Sequence, residues 1–314
     1  MRLEIRPARL EDAAGISWTH RGSVQTWFRY PAKGPPIPTS YEELDDLERW
    51  KNGGPWMVLS SCQAHLAWLL GGAGQAWVAL LGGEIVGEAE TFLNEEPPPL
   101  GRYHNLSVLY LHRRAQGQGI GRVFMQELLT AADEAACQAF LVGSVEPEAC
   151  GFYARMGFSL WQTMCQTQVR CAPGELAGQP FLPGDYAQVA GLPMPVGRHQ
   201  GAGQEWEQLR GATLVPGMPA PSRRDWRLLD IAGEPAWTAF AESIFHPDQA
   251  QVYAWSHARP EDLLPLLLAE ADALGYRQAD LLLAEPAFSQ WKEQSHSVET
   301  SRHEAWWRQL RAAT

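Results

Sequence analysis

The chain has 314 residues, 45% of them hydrophobic, and a formal net charge of −11. That length accommodates one large or two ordinary domains with real cores. The acidic balance argues against a nucleic-acid-binding protein, which normally shows a basic face. No charged-then-apolar leader pattern opens the sequence. The most apolar stretch, residues 64–81, is broken by Gly71-Gly72-Ala73-Gly74-Gln75, which reads as a turn rather than part of a membrane span. A soluble, cytoplasmic protein without membrane contact is expected. Cys62, Cys137, Cys150, Cys165 and Cys171 are odd in number and form no C-x-x-C, so ordinary thiols are expected. The nine histidines show no ligand spacing, and no metal is expected.

In chain order, residues 5–14 read as a strand entering a helix, with Asp12 at the helix start where an acid suits the dipole. Residues 76–91 read as a hairpin turning at Gly82-Gly83-Glu84. The apolar run 106–111 predicts a strand. Gln116-Gly117-Gln118-Gly119-Ile120-Gly121-Arg122 follows, then a helical pattern over 123–136 and a buried strand over 139–143. The fold class is α/β (α+β).

The glycine turn carries the chemistry. Glycines at alternate positions let backbone approach a ligand, and a helix starting there points free N–H groups at it. That suits a pyrophosphate. A P-loop fails because no Lys-Ser or Lys-Thr follows. A dinucleotide fingerprint fails because its third glycine falls on Arg122. The pattern [QR]-x-x-G-x-G fits from Gln116 through Gly119 to Gly121. It resembles the acetyl-CoA turn of the GNAT N-acetyltransferase superfamily. A-x-x-F-Y-x-x-x-G-F, which resembles the same superfamily's closing motif, stands complete from Ala149 to Phe158. The resemblance covers residues 1–170.

What the resemblance implies is specific. Acetyl-CoA (coenzyme A as its carrier) would lie in a gap between the strands at 106–111 and 139–143. The backbone of Leu109, Tyr110 and Leu111 would bind its arm and polarise the thioester carbonyl. The amides of Gln116, Gly117, Gln118, Gly119, Ile120, Gly121 and Arg122 would hold the diphosphate, with Arg122, Arg113 or Arg114 adding charge. Tyr153 would donate to the departing thiolate, as general acid or as a positional hydrogen-bond donor. Relatives often place a carboxylate base on the strand before the turn; here that strand carries His104, Asn105, Ser107 and Tyr110 instead. Glu88 and Glu90 share one strand face by the two-residue period. Either would serve as base through water, or both would line a solvated strand edge. His104 is a direct alternative. Glu146 stands where relatives often show Asn. An acceptor pocket would draw on Trp18, His20, Trp27, Phe28 and Tyr30, and on the acidic loop at Asn94-Glu95-Glu96-Pro97-Pro98-Pro99, which would favour a cationic amine. Core packing is the competing use of the tryptophans.

The second half reads as another copy. Pro180, Asp185 and Ala187 match Pro7, Asp12 and Ala14. Residues 228–240 mirror the hairpin, 250–255 read as a strand and 260–274 as a helix, and 278–282 parallel 138–142. Two tandem mixed-sheet domains are expected, 1–170 and 171–314; two merely similar domains are the alternative. At the glycine turn the second copy has His257, Arg259 and Glu261, so it should keep the fold without holding the cofactor in the same way. Residues 192–203 and 211–221 read as loops. The expected activity is acetyl transfer to a primary amine of a small molecule or peptide by direct attack in a ternary complex. A non-catalytic coenzyme A sensor is the alternative, and a third reading changes the acyl group or acceptor. The layout resembles tandem mycothiol synthase-type relatives, but their active copy is typically the C-terminal one, so their substrate is not transferred. Monomer and homodimer both remain open.

Overall fold

A computed structural model describes residues 2–31, 34–144, 146–211, 223–292 and 298–310. These pack as two compact units. The first takes residues 2–93, 106–136 and 210–211; the second takes 94–105, 137–209 and the described residues from 223 onward. This partition differs from a cut at residue 170, because two long strands contribute to both units.

The first unit contains β1 (Leu3–Pro7), α1 (Ala13–Arg21), β2 (Trp27–Arg29), β3 (Ile37–Thr39), α2 (Asp46–Lys51), α3 (Leu59–Trp68), β4 (Gln75–Leu81), β5 (Glu84–Glu96), β6 (Gly101–Leu111) and α4 (Ile120–Glu134), the ends of β5 and β6 belonging to the second. Strand order is β1-β4-β5-β6, and among the described residues β2 pairs only with β3. The predicted hairpin is β4–β5, antiparallel. Helices α1 and α3 supply Ile16, Cys62 and Leu66 to a core closed by Val78 and Phe92. Asp12 fixes the entry to α1. Its carboxylate accepts from the Arg9 amide at 2.7 Å and from both Arg6 guanidinium nitrogens at 2.7 and 2.9 Å. Burial opposes its charge, but the Arg6 and Arg9 hydrogen bonds hold the carboxyl below its ordinary range.

The second unit contains β7 (Ala139–Ser144), α5 (Pro147–Arg155), β8 (Ser159–Arg170), β9 (Gln179–Pro180), α6 (Ala202–Gly211), β10 (Arg224–Ile231), β11 (Glu234–Glu242), β12 (Gln249–Trp255), α7 (Pro260–Ala273), β13 (Gln278–Ala284), α8 (Glu285–Lys292) and β14 (Val298–Gln309). Its strand order is β7-β14-β8-β13-β12-β11-β10-β9. The sheet is mixed: β12 and β13 are parallel, joined through α7, while the other pairs recorded here are antiparallel. The last strand therefore returns to lie between β7 and β8. Leucines 263, 264 and 267 of α7 pack with Phe240, Val252 and Leu281. Trp206, Trp226 and Trp255 form a second core, with Trp206 edge-on to Trp226 at 4.9 Å and to Trp255 at 5.0 Å. Core packing is the use made of these tryptophans.

Two expectations change here. Asn94, Glu95 and Glu96 are not loop; they end β5. Glu96 is buried and pairs with the buried Arg198, Tyr103 donates to the same carboxylate, and the Trp161 ring lies 5.3 Å from the Arg198 guanidinium. That carboxylate is therefore already matched and does not offer charge to an amine. The predicted loop at 192–203 holds as far as Gly201, where α6 begins; residues 212–221 of the second predicted loop lie outside the described residues.

Breaking a buried pair by removing one charge costs about 3–5 kcal/mol, because the other stays buried and uncompensated. Glu96→Gln is expected to lower unfolding stability by about that amount in urea titration. A loss within experimental error would show that Arg198 finds water instead.

Candidate functional site

At the glycine turn, Gly117 and Gly119 adopt φ of +73° and +79°. A Cβ at either would meet nothing within 4 Å. Glycine is demanded by the left-handed backbone, and the space in front stays open. Gly119 caps the 15-residue α4. The first amides of the helix with partners are Arg122 and Val123, which donate to the Gly119 carbonyl at 3.1 and 3.3 Å. The Gln116 amide donates to the Arg113 carbonyl at 3.2 Å. Among the described residues, the five amides of Gly117, Gln118, Gly119, Ile120 and Gly121 have no acceptor. This narrows the expected set of seven. Five such donors at the positive end of a helix fit an anionic group such as a diphosphate.

The side chains around the turn brace it. Gln116 donates to the Leu111 carbonyl at 3.0 Å and Gln118 to the Arg114 carbonyl at 2.7 Å. Arg113 donates to the Ser23 carbonyl at 3.3 Å. Arg114 pairs with Glu84 and lies 4.6 Å from the Trp18 ring centre. Arg122 is exposed and stays beside the open face.

The glutamates of β5 are not on a solvated edge. Glu88 and Glu90 are each 1% exposed. His20 of α1 lies against Glu88, Nε2 to Oε2, at 3.0 Å. His65 of α3 lies against Glu90 Oε1 at 2.8 Å, and Trp56 donates to the same oxygen at 3.0 Å. Burial, then the neighbouring Glu90 carboxyl, pushes the Glu88 carboxyl well above the usual range. Burial, then the charge of His65, lowers His20 to about 3, so its ring is neutral. His20 is stacked against Trp56 at 4.7 Å and against Tyr110 of β6 at 4.3 Å. Tyr110 is 42% exposed.

The other expected site residues are distributed as follows. Leu109 and Leu111 are half-buried on β6, and Gly87 of β5 packs close to them: a Cβ there would sit 2.5 Å from the Leu111 side chain and 3.1 Å from the Tyr110 carbonyl. Trp18 stacks on His112 at 4.0 Å, and Trp27 packs edge-on to Tyr41, so these rings are engaged with neighbours rather than gathered around His20. His104 and Tyr153 belong to the second unit. His104 is buried edge-on to Phe140, and burial, then Arg102, lowers it to about 4. Tyr153 lies in α5 between Phe152 and Phe158, and burial, then Cys150, pushes its phenol up to about 12. Glu146 is exposed at the start of α5. His65 was not among the sequence candidates. The signal for it was two glutamates inside an apolar strand, which require buried partners.

In the second unit the turn that opens α7 and the gap between β12 and β13 are both occupied by the chain itself. At its turn, α7 begins with Pro260 after Arg259, and Arg259 pairs with Glu261 and with Asp262 at 3.1 Å each. A hollow of about 590 Å³ remains there, but Glu234, Glu261 and Asp262 line it. Strands β12 and β13 pair only over Gln249–Gln251 with Gln278–Asp280. Beyond that, Val196 bridges Ala254 on one side and Leu283 on the other. The Ala254 amide donates to Val196 at 3.1 Å, and the Gly197 amide donates to Leu282 at 2.8 Å. The segment 193–197 thus fills the opening between the diverging strands with the chain's own backbone.

All five cysteines are free, four of them buried. Among the described residues no group of His, Cys, Asp and Glu is arranged to hold a metal ion, and no helix is long and apolar enough to cross a membrane.

Residues 39–158 match the model of the Acetyltransferase (GNAT) family, a span that includes the glycine turn, Glu88, Glu90 and Tyr153 and does not reach the second half. No curated protein matches the sequence. Among solved structures, a GCN5-related N-acetyltransferase from Anabaena variabilis aligns with a TM-score of 0.59 at 9% identity, covering 99% of this chain and 73% of that one. One from Kribbella flavida aligns at 0.54 and 11% identity, covering 98% and 72%. A Pyrococcus horikoshii protein provisionally named an acetyltransferase aligns at 0.58 and 12% identity, covering 98% and 90%. At these identities the likeness speaks for the fold over the whole length. The family match supports acetyl transfer in the broad sense.

Gly197 has φ of +88°, and a Cβ there would fall 2.7 Å from both the Tyr253 ring and the Val252 carbonyl. Gly197→Ala is expected to destabilise the protein by on the order of 1–3 kcal/mol, the cost of a forced left-handed residue, read as a lower thermal midpoint. An unchanged midpoint would mean that the segment is not clamped between the strands.

Proposed function

We propose that the protein transfers an acetyl group from acetyl-CoA to a primary amine, with one cofactor site per chain. The five partnerless amides at residues 117–121 carry this reading. They would hold the diphosphate of coenzyme A, with Arg122 alongside. The thioester supplies an activated acetyl group when bound. The main chain of Leu109, Tyr110 and Leu111 would orient it and stabilise the developing oxyanion, a contribution on the order of 3 kcal/mol for one well-placed donor. Glu88 or Glu90 would draw the proton from the amine through water. His104, buried against Phe140, is the less favoured base. The tandem division at residue 170 belongs to the same proposal: a binding-competent first copy, and a second that keeps the fold with its opening filled.

Tyr153 is assigned by its place in the family motif. A phenol at about 12 stays protonated throughout the working range. Full transfer to a thiolate whose parent thiol lies near ~8.5 would run uphill by roughly 5 kcal/mol. Hydrogen-bond donation to the departing sulfur is therefore the role we assign, worth about tenfold in rate.

Calorimetry with coenzyme A should give one site per chain, lost in Gly119→Glu. An amine panel with acetyl-CoA, followed by free thiol release, should find turnover, and Tyr153→Phe should lower kcat about tenfold with binding kept. Binding without turnover on any amine would leave a coenzyme A-binding protein and end the enzymatic reading. No binding would end both.

A further inference from the structure

The five open amides hold a ligand well only if the backbone that carries them is fixed in advance. The residue that fixes it is not among them. His112 follows β6 and precedes the single turn Arg113–Ala115 that leads toward Gly117. Both of its main-chain polar groups are used: its amide donates to the Val86 carbonyl of β5 and its carbonyl accepts from the Ala115 amide, each at 2.8 Å. The ring is used as well. Nδ1 accepts from the Arg114 amide at 3.2 Å, which sets the neutral tautomer: Nδ1 is bare and the proton sits on Nε2. The ring lies flat against Trp18 of α1, with 4.0 Å between centres and 3° between planes. Gly22 closes α1 directly beside it, and a Cβ there would fall 2.5 Å from both Cδ2 and Nε2. Gly22 has φ of −64°, which any residue adopts, so it is the imidazole that requires glycine at this position.

We propose that His112 is a positioning residue for the coenzyme A turn, keyed into the end of α1 and acting only while its ring is neutral. The proposal rests on the reading that residues 117–121 hold the diphosphate, and deepens it by naming what aims those amides and when. The turn is built on Arg113 and Arg114. The Gln116 amide donates to the Arg113 carbonyl at 3.2 Å, and the Gln118 side chain donates to the Arg114 carbonyl at 2.7 Å. The imidazole holds the Arg114 amide of that same peptide run. Arg113 also reaches the Ser23 carbonyl, one residue beyond Gly22, at 3.3 Å, and the Arg114 guanidinium lies 4.6 Å from the Trp18 ring centre. One short stretch of α1 therefore meets the turn on every side of the ring that the turn itself leaves free.

A proton on Nδ1 would put a donor where the Arg114 N–H needs an acceptor, and the tie would open to water. The elements packed against the ring carry His20 and Arg21 on α1, Glu84 and Glu88 on β5, Tyr110 on β6, and Arg113 and Arg114 in the turn. His20 and Glu88 face each other at 3.0 Å and Glu84 pairs with Arg114, so the two arginines of the turn are the charges that act on the ring. Burial, then Arg114 and Arg113, holds His112 below the ordinary histidine range. The tie is therefore intact at neutral pH and is lost as pH falls through the lowered value. An imidazolium would also add positive charge near the anion site. Solvent and salt screen that charge at the surface, so the lost tie is expected to dominate.

Calorimetry with coenzyme A on the full chain tests this. At about pH 7.5, His112→Ala is expected to bind about fivefold more weakly, the equivalent of one lost side-chain cap of ~1 kcal/mol. His112→Asn restores an acceptor that does not titrate and should come within about twofold of wild type. Between about pH 7.5 and about pH 5.5, wild type should lose roughly twofold or more relative to His112→Asn. Titration of the ligand's own phosphates is common to both proteins and cancels in that ratio. Gly22→Ala, which displaces the ring without altering it, should weaken binding roughly threefold or more in wild type and leave the His112→Asn protein unchanged. A merely structural role would give losses that are the same at every pH and are not rescued by Asn. His112→Ala that binds like wild type, His112→Asn that binds no better than His112→Ala, or a wild type that gains on His112→Asn as pH falls would overturn the proposal. Should His112→Ala misfold, the pH ratio and the Gly22→Ala pair decide it by themselves. Wild type that gives no heat with coenzyme A at any pH would instead remove the parent reading.

Discussion

Buried main-chain polar groups must find partners, and this constraint organises both halves of the protein. A parallel pair of strands that diverges leaves such groups exposed in the opening. In the second unit, β12 and β13 part after three residue pairs, and the chain's own segment 193–197 enters to satisfy Ala254 and Leu282. In the first unit, the turn before α4 leaves five amides without acceptors among the described residues. One unit resolves its unpaired backbone internally; the other leaves donors open at the start of a helix.

The segment 193–197 is itself anchored. Arg198 follows the inserted segment directly and pairs with Glu96 at the end of β5, beneath Trp161 and beside Tyr103. Nearby, Asn94 accepts from the amides of Gly203 and Gln204 at the start of α6, at 2.7 and 3.2 Å. The end of β5, far along the chain from these residues, thus fixes where the loop turns into helix. The same unit holds β14 between β7 and β8 with antiparallel pairing on both sides. A strand inserted this way gains two ladders of hydrogen bonds instead of one and removes two edges. Together these features explain why the compact units do not divide at residue 170.

The elements of the first half were legible because each has a local cause: the Gly82-Gly83 hairpin, the alternating glycines before α4, the apolar strand at 139–143 and the Phe152-Tyr153 motif. In the second half the hairpin β10–β11 and the strand β13 were legible for the same kind of local cause. What escaped was non-local. β14 carries Glu299, Arg302 and Glu304 among its residues and looks like a polar tail until both of its neighbours are known. Helix α6 lay beside predicted loops whose Gly and Pro content hid it. At the glycine turn, the sequence offered seven amides, but the Gln116 and Arg122 amides are used by the turn itself. Glu88 and Glu90 were placed on one strand face, but sequence spacing does not say whether that face meets water or two helices. The helices bring His20 and His65, which stand 45 residues apart, onto it.

A pair of carboxyl groups in a core is costly. Replacing a buried polar cluster with apolar residues of similar volume is often neutral or stabilising, so stability alone is a weak account of why it is present. The arrangement around Glu88 and Glu90 is also not the minimum needed to neutralise them. One apolar substitution would remove the repulsion, whereas the chain supplies two histidines and an indole, and aligns His20 between two aromatic faces. The ring that results is neutral, hydrogen-bonded on one nitrogen and bare on the other. The strand that bears this cluster pairs with the strand whose Tyr110 covers it, so the cost is concentrated where the acetyl group is proposed to sit.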